Sequence, residues 1–203
     1  VTILVGSCIA LSQDELKRRL AFSTISQLSY IVFGVALLTP KGLLGGIVHI
    51  GMHAFGKITL FFCAGAIYVA TGKKYISQMD GLGKKMPITY TALFIGALGV
   101  IGLPPSGGFF SKWYLILGTL ETGHQILMLV LLLSSFLNAF YFLPIVYKGF
   151  FGTPPDTQEG EPVKMEEASF CCVVPLVITA IISIVLFFWP DVFVDLIKVG
   201  LGI

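Results

Sequence analysis

The chain has 203 residues, 56% of them hydrophobic and only 12% charged, with a mean hydropathy of +0.92. A soluble domain carries roughly 25% charged residues, so this composition excludes a water-soluble enzyme and indicates an integral membrane protein. The net charge of +2 is scattered, with no basic run interleaved with aromatics, which excludes nucleic acid as a partner.

In chain order, the opening segment VTILVGSCIALS has no basic n-region and no small-residue cleavage site. It reads as the end of a longer helix rather than a signal peptide. Four segments approach or exceed the roughly 20 apolar residues that a membrane crossing needs: 20–38, 43–71, 125–147 and 168–189. With 1–12 they make five. The stretch 88–120 is cut by Pro104-Pro105-Ser106-Gly107-Gly108 into apolar pieces too short to span separately, and one crossing by a broken helix is the simpler account. The hydrophilic stretch GTPPDTQEGEPVKMEE, 152–167, is expected to lie over the cytoplasmic face. After Trp189-Pro190, the tail DVFVDLIKVGLGI mixes charges with apolar residues in the manner of a helix lying at the far surface. No internal repeat is evident.

Basic residues test the single crossing, because cytoplasmic loops carry the excess of Lys and Arg. If 88–120 crosses once, Lys17, Arg18, Arg19, Lys73, Lys74, Lys84, Lys85, Lys148 and Lys164 share one side, against Lys41 and Lys198. Two crossings would make the split less uneven, so one is favoured. The four cysteines, Cys8, Cys63, Cys171 and Cys172, lie in apolar runs without CxxC spacing and read as small packing residues.

An ionisable side chain inside a span costs at least about 2.5 kcal/mol on insertion scales and marks a path or a site by default. In GGIVHIGMHAFGKITLFF, His49, His53 and Lys57 recur every four residues and fall on one helix stripe about 12 Å long. Gly45, Gly46, Gly51 and Gly56 leave room around them for water or for a neighbouring helix. The competing reading has the histidines bonding a neighbouring helix and Lys57 snorkelling to an interface, which its place midway along 43–71 makes difficult. HxxxH also resembles a pair of zinc ligands, but Ile50 stands where a zinc protease needs Glu and no third ligand is evident, so no metal and no cofactor is expected.

Lys112 follows the break in IGLPPSGGFFSKWYLILGTLE. Pro104 and Pro105 supply no N–H, so carbonyls before the break and amides after it are left without helical partners. Groups freed in this way must face protein or water, and broken helices at mid-depth recur at ion sites. Lys112 is expected to gain and lose a proton there; the alternative is a structural lysine paired with a carboxylate. Ser23, Thr24, Ser26, Gln27 and Ser29 make the next helix start polar on several faces. Asn138 and Pro144 are candidates for a local opening of 125–147, with packing the plainer role, and Glu121 reads as an interfacial helix end.

Three motifs in this order, DELKRRLAFSTISQLSY, IVHIGMHAFGKITLFFCAGAIY and IGLPPSGGFFSKWYLILG, resemble the proton-conducting antiporter-like subunits of respiratory complex I, Mrp-type sodium/proton antiporters and membrane-bound hydrogenases. The likeness runs from about residue 6 to 150. It implies an all-α, polytopic transmembrane bundle of two inverted five-helix repeats, each with a broken helix. This chain would hold the second repeat (1–150), the hydrophilic loop (151–167), and a final helix with an amphipathic tail (168–203). Carried over by resemblance, Lys112 is the broken-helix lysine, and Lys57, His53 and His49 link the half-channels. Lys17 is the basic residue of the D-x-K-R motif, and Pro104, Pro105, Gly107 and Gly108 form the break.

The resemblance implies proton translocation, with sodium as a second candidate ion, in a multi-pass protein of the prokaryotic plasma membrane. Its partners would be lipid and the other subunits of the complex, including whatever supplies the first repeat. The stretches SKWYLILGTLE and NAFYFLPIVYKGFF are closer to the D-type Mrp members and the hydrogenase-associated members than to complex I. No redox-centre motif is present. The alternatives are a structural membrane subunit that conducts nothing and an intramembrane metal or cofactor protein.

Overall fold

A computed structural model describes residues 1–153 and 165–202. Among the described residues the regular structure is helical: α1 (Thr2–Ser12), α2 (Leu16–Ala36), α3 (Pro40–Thr71), α4 (Leu82–Lys85), α5 (Pro87–Ile101), α6 (Gly108–Glu121), α7 (Gln125–Phe151), α8 (Phe170–Phe188) and α9 (Asp191–Leu201), with a 3₁₀ turn at Ile76–Gln78. Most of the expected hydrophilic loop, residues 154–164 including Lys164, lies outside the described residues.

Among the described residues, three helices are long and apolar enough to cross a membrane: Pro40–Thr71, Gln125–Phe151 and Phe170–Phe188. α2 matches them in length, but it starts four residues earlier than the apolar pattern suggests and takes Lys17, Arg18 and Arg19 into its first turn. α3 is the central mast. Thr39 caps it, accepting from Gly42 N at 3.1 Å, with Pro40 in the first turn, and Gly72 ends it in the left-handed conformation at φ 70°. At about 1.5 Å per residue its 32 residues exceed the roughly 30 Å hydrocarbon thickness.

The register along α3 settles whether 88–120 crosses once or twice. Gly96 packs against Leu60 and Gly56; Gly107 against Met52; Ser111 bonds His49; Leu115 abuts Gly45; and Gly118 abuts Gly42. As residue number rises through α5, the break and α6, the partner on α3 falls steadily. The two pieces therefore run as one interrupted helix antiparallel to α3, and a re-entrant hairpin is excluded. The loops fall accordingly. Leu16 N donates to Lys74 O, Ile76 N to Asp14 O, Gly81 N to Lys148 O and Glu166 N to Lys85 O, so the segments around 14, 75, 81, 148 and 166 meet at one end, as the basic residues indicate. At the opposite end Lys41 pairs with Glu121 at 2.7 Å, so that helix end is tied as well as interfacial.

Small residues let the backbones meet. A Cβ on Gly34 would lie 2.6 Å from Gly42 O, and one on Gly45 2.7 Å from Leu115 N. Lipid tails are as apolar as Leu, so this closeness, and not apolarity, selects these helix partners. Gly45 and Gly46 thus serve helix approach, whereas at Gly51 the neighbour is the Phe193 ring of α9. α7 stays helical through Asn138 and Pro144. Glu167 caps α5 from the chain leading into α8, accepting from Ile88 N at 2.6 Å and Thr89 Oγ1 at 2.7 Å.

Candidate functional site

The break places Lys112. α5 closes with Gly102 in the left-handed region at φ 86°, its N–H and that of Leu103 both donating to Leu98 O, at 2.8 and 3.1 Å. This leaves the Val100 and Ile101 carbonyls pointing past the helix end. Lys112 reaches back from α6 across Gly102 and donates to Val100 O at 2.8 Å, Ile101 O at 2.9 Å and Ser135 Oγ on α7 at 3.0 Å. Three N–H bonds meet three acceptors, so the ammonium acts as the missing cap of α5, and a carboxylate is not its partner among the described residues. Only 6% of Lys112 is exposed. Gly108 must be glycine, because a Cβ there would strike the Gly99 carbonyl.

From Lys112 the polar groups continue without leaving the interior. Its amine lies 5.0 Å from the centre of the Tyr30 ring, which stacks on His49 at 5.5 Å. His49 Nδ1 is 2.8 Å from Ser111 Oγ, whose hydroxyl also reaches Gly108 O at 3.0 Å. When that hydroxyl donates to Gly108 O, the serine oxygen accepts from Nδ1–H, and Nε2 keeps an open lone pair. His49 stacks on His53 at 5.3 Å with ring planes 16° apart. One turn further, Lys57 donates to Leu20 O at 3.1 Å and to Ser23 Oγ, with the Phe142 ring 5.6 Å away. His49, His53 and Lys57 are 1–5% exposed.

The structure thus brings Lys112, His49, His53 and Lys57 onto one buried line, about 12 Å long between His49 and Lys57 along α3. It leaves Lys17 off that line. Lys17 is exposed in the first turn of α2, its amine 5.2 Å from the Tyr68 ring centre, and Lys74 stands at the same distance from that ring. These groups line a surface cavity of about 230 Å³ with Glu15, Leu16 and Met79. Pro104 and Pro105 lie in the break, and Gly107 N donates across to Ser183 O of α8 at 3.1 Å. Among the described residues, no cluster of three His, Cys, Asp or Glu is gathered to hold a metal.

Tyr30, Ser111 and Ser135 join the line although the sequence does not single them out, and Ser23 stands there only among the polar residues at the start of its helix. A signal for two of these was present: Leu20, Ser23, Gln27, Tyr30 and Gly34 step by three and four along α2, the spacing of a face turned to one neighbour. Arg19, which the sequence marks only as one of the basic loop residues, has a structural role as well. Arg19 donates to Gln13 O at 2.6 and 2.9 Å, Leu11 O at 3.3 Å and Tyr141 O at 2.9 Å, tying the end of α1 to α7.

The NADH:quinone oxidoreductase/Mrp antiporter transmembrane family matches residues 1–138. The N subunit of the NADH-quinone oxidoreductase of Desulforudis audaxviator is 44% identical over 163 residues, 79% of this chain and 32% of that protein. The D subunit of the Na(+)/H(+) antiporter of Alkalihalophilus pseudofirmus is 35% identical over 182 residues, 90% of this chain and 37% of that protein. Of these two, the quinone oxidoreductase protein has the higher identity to this chain. A chain in the structure of the Mrp complex from Dietzia sp. superposes with a TM-score of 0.87 at 26% identity, covering 96% of this chain and 44% of that one. The chain spans about a third of the length of these two curated relatives. It is an all-α, multi-pass membrane protein, and it belongs to the NADH:quinone oxidoreductase/Mrp antiporter transmembrane family.

Proposed function

We propose that this chain carries protons through the membrane interior as part of an antiporter-like subunit in a multisubunit complex, along the line Lys57, His53, His49, Tyr30 and Lys112. Residues 1–150 are read as one five-helix repeat with its broken helix, and 168–203 as the helix and tail that follow. The rest of the path and the coupling machinery belong to the remainder of the subunit and to neighbouring subunits, in a prokaryotic plasma membrane. The observation that carries the reading is the row of buried exchangeable groups ending on an ammonium that caps a severed helix.

The chemistry of the line favours H⁺ over Na⁺. Hard cations are held by several oxygens, whereas this line offers amines, imidazoles and hydroxyls, and its described carbonyls at Val100, Ile101 and Leu20 are occupied by lysine amines. A mechanism follows from the two lysines. Ammonium charges in a low-dielectric interior repel each other, so loading the Lys57 end favours release from the Lys112 end. The imidazoles between them exchange protons at both ring nitrogens. The Lys112 amine stays bonded to helix-end carbonyls in its charged form and loses those charge-assisted bonds when neutral, which ties the proton's departure to a rearrangement at the break.

The test is Lys112→Ala in the assembled complex reconstituted in vesicles. Proton flux is expected to fall to the leak of empty vesicles while the subunits still co-purify. Undiminished flux would refute the reading in favour of a structural role.

A further inference from the structure

The line has a gap at its centre. Along α2 the buried residues Leu20, Ser23, Gln27, Tyr30 and Gly34 step by three and four, the spacing of one helix face. Contacts fix their register: Ser23 bonds Lys57, Tyr30 stacks on His49, and Gly34 abuts Gly46. The middle residue of this face is Gln27, and the middle residue of the facing stripe on α3, between His49 and Lys57, is His53. Both are buried, Gln27 at 0% and His53 at 5% exposure. Among the described residues, neither amide atom of Gln27 and neither ring nitrogen of His53 has a hydrogen-bond partner. His49 Nε2, on the same stripe, and Asn138 Nδ2, on α7 one turn from Tyr141, are likewise unpartnered.

Buried polar side chains are almost always bonded, to protein or to ordered water, and an unmade bond to a buried donor or acceptor is costly. Four open atoms on two facing residues meet the usual requirement for internal water, which makes about three bonds to otherwise unsatisfied groups. The histidine pair points the same way. Rings stacked face to face at 16° do not aim a nitrogen of one at a nitrogen of the other, so a proton passing between them needs an intermediary in the ring plane.

We infer that Gln27 and His53 enclose an ordered-water site between α2 and α3, and that Gln27 positions the water through which protons pass between the histidines and Lys57. The inference rests on the proton-conducting reading above and adds a residue that does not titrate. An amide suits the task. Its NH₂ donates and its carbonyl accepts, so it holds a water in either orientation of the hydrogen-bonded chain, and the chain can reset after each proton. Being neutral, it adds no charge to a line that already holds two lysines.

The experiment uses the assembled complex throughout. A density map of the wild-type complex that resolves waters is expected to show solvent within about 3.5 Å of the Gln27 amide and a His53 nitrogen. In vesicles, Gln27→Leu is expected to lower proton flux about tenfold, the scale of one lost buried hydrogen-bonded link. Gln27→Asn, which keeps the amide and leaves space for one more water, should recover most of that flux. Lys112→Ala runs beside them. A map with Gln27 bonded directly to His53 and no solvent overturns the inference, including the case in which Gln27→Leu fails to assemble. So does full flux in Gln27→Leu while Lys112→Ala is dead, and so does a loss in Gln27→Leu that Gln27→Asn does not relieve. Flux persisting in Lys112→Ala removes the conduction reading and this inference with it.

Discussion

Lys112 lies inside the helix cluster and Lys17 at its rim, and the two are held in opposite ways. Lys112 is buried, and its three protons are met by two carbonyls that the helix break has freed and by one hydroxyl. Lys17 is exposed, rests over an aromatic ring it shares with Lys74, and takes its place from the rim of a surface cavity. Lys57 resembles Lys112: it too is buried and donates to a backbone carbonyl and a hydroxyl. A charge can be kept inside a membrane protein when the backbone itself is arranged to receive it, and such arrangements require a severed helix or a hydroxyl-rich face. A lysine at the rim needs neither, since water screens it. The same residue type is thus a candidate carrier in one region and a surface cation in the other.

Substitutions put this contrast to the test. The largest effect is expected from Gly45→Leu, because even a Cβ there would lie 2.7 Å from Leu115 N. α6 could not seat on α3, and no assembled complex should be recovered on size exclusion; a normal yield would mean that this seam does not position Lys112. Next, Lys57→Ala should leave assembly intact yet bring proton flux in vesicles down at least about a hundredfold, since a buried proton carrier has no substitute on the line. A fall of less than about twofold there would move the path elsewhere. Ser23→Ala removes one bond to a charged amine, a contribution of roughly 1.5–3 kcal/mol, and should slow flux about tenfold without stopping it. The smallest effect is expected from Lys17→Ala: an exposed amine over a ring contributes about 0.5–1 kcal/mol, so flux at physiological salt should stay within about twofold of wild type. A loss at Lys17 as deep as that at Lys57 would erase the distinction between interior and rim.

Much of this arrangement can be read along the chain. His49, His53 and Lys57 lie on one stripe because four residues make slightly more than one turn, and no tertiary information is needed to see it. The PPSGG break announces freed backbone groups because proline has no N–H and glycine no side chain. The uneven distribution of Lys and Arg favours the single crossing that the α3 register then demonstrates. Less legible are the partners. That Lys112 caps its own helix's first half across eleven residues, that Ser135 of α7 completes the cap, and that Tyr30 sits between Lys112 and His49 all depend on which helices lie side by side. Hydropathy describes each helix singly. It also understates α2, whose Lys17, Arg18 and Arg19 lower its apolarity although the helix packs in the bundle like the rest.

Composition and periodicity within single segments are enough to mark a helical membrane protein with one interrupted helix and costly cations inside it. Which lysines share an interior, and which faces the solvent, depends on how the helices pair. Helix pairing in a membrane is set by close backbone approach at glycines such as Gly34, Gly45 and Gly118, and the choice of neighbour, made there, is what brings Ser23 to Lys57 and Tyr30 to His49.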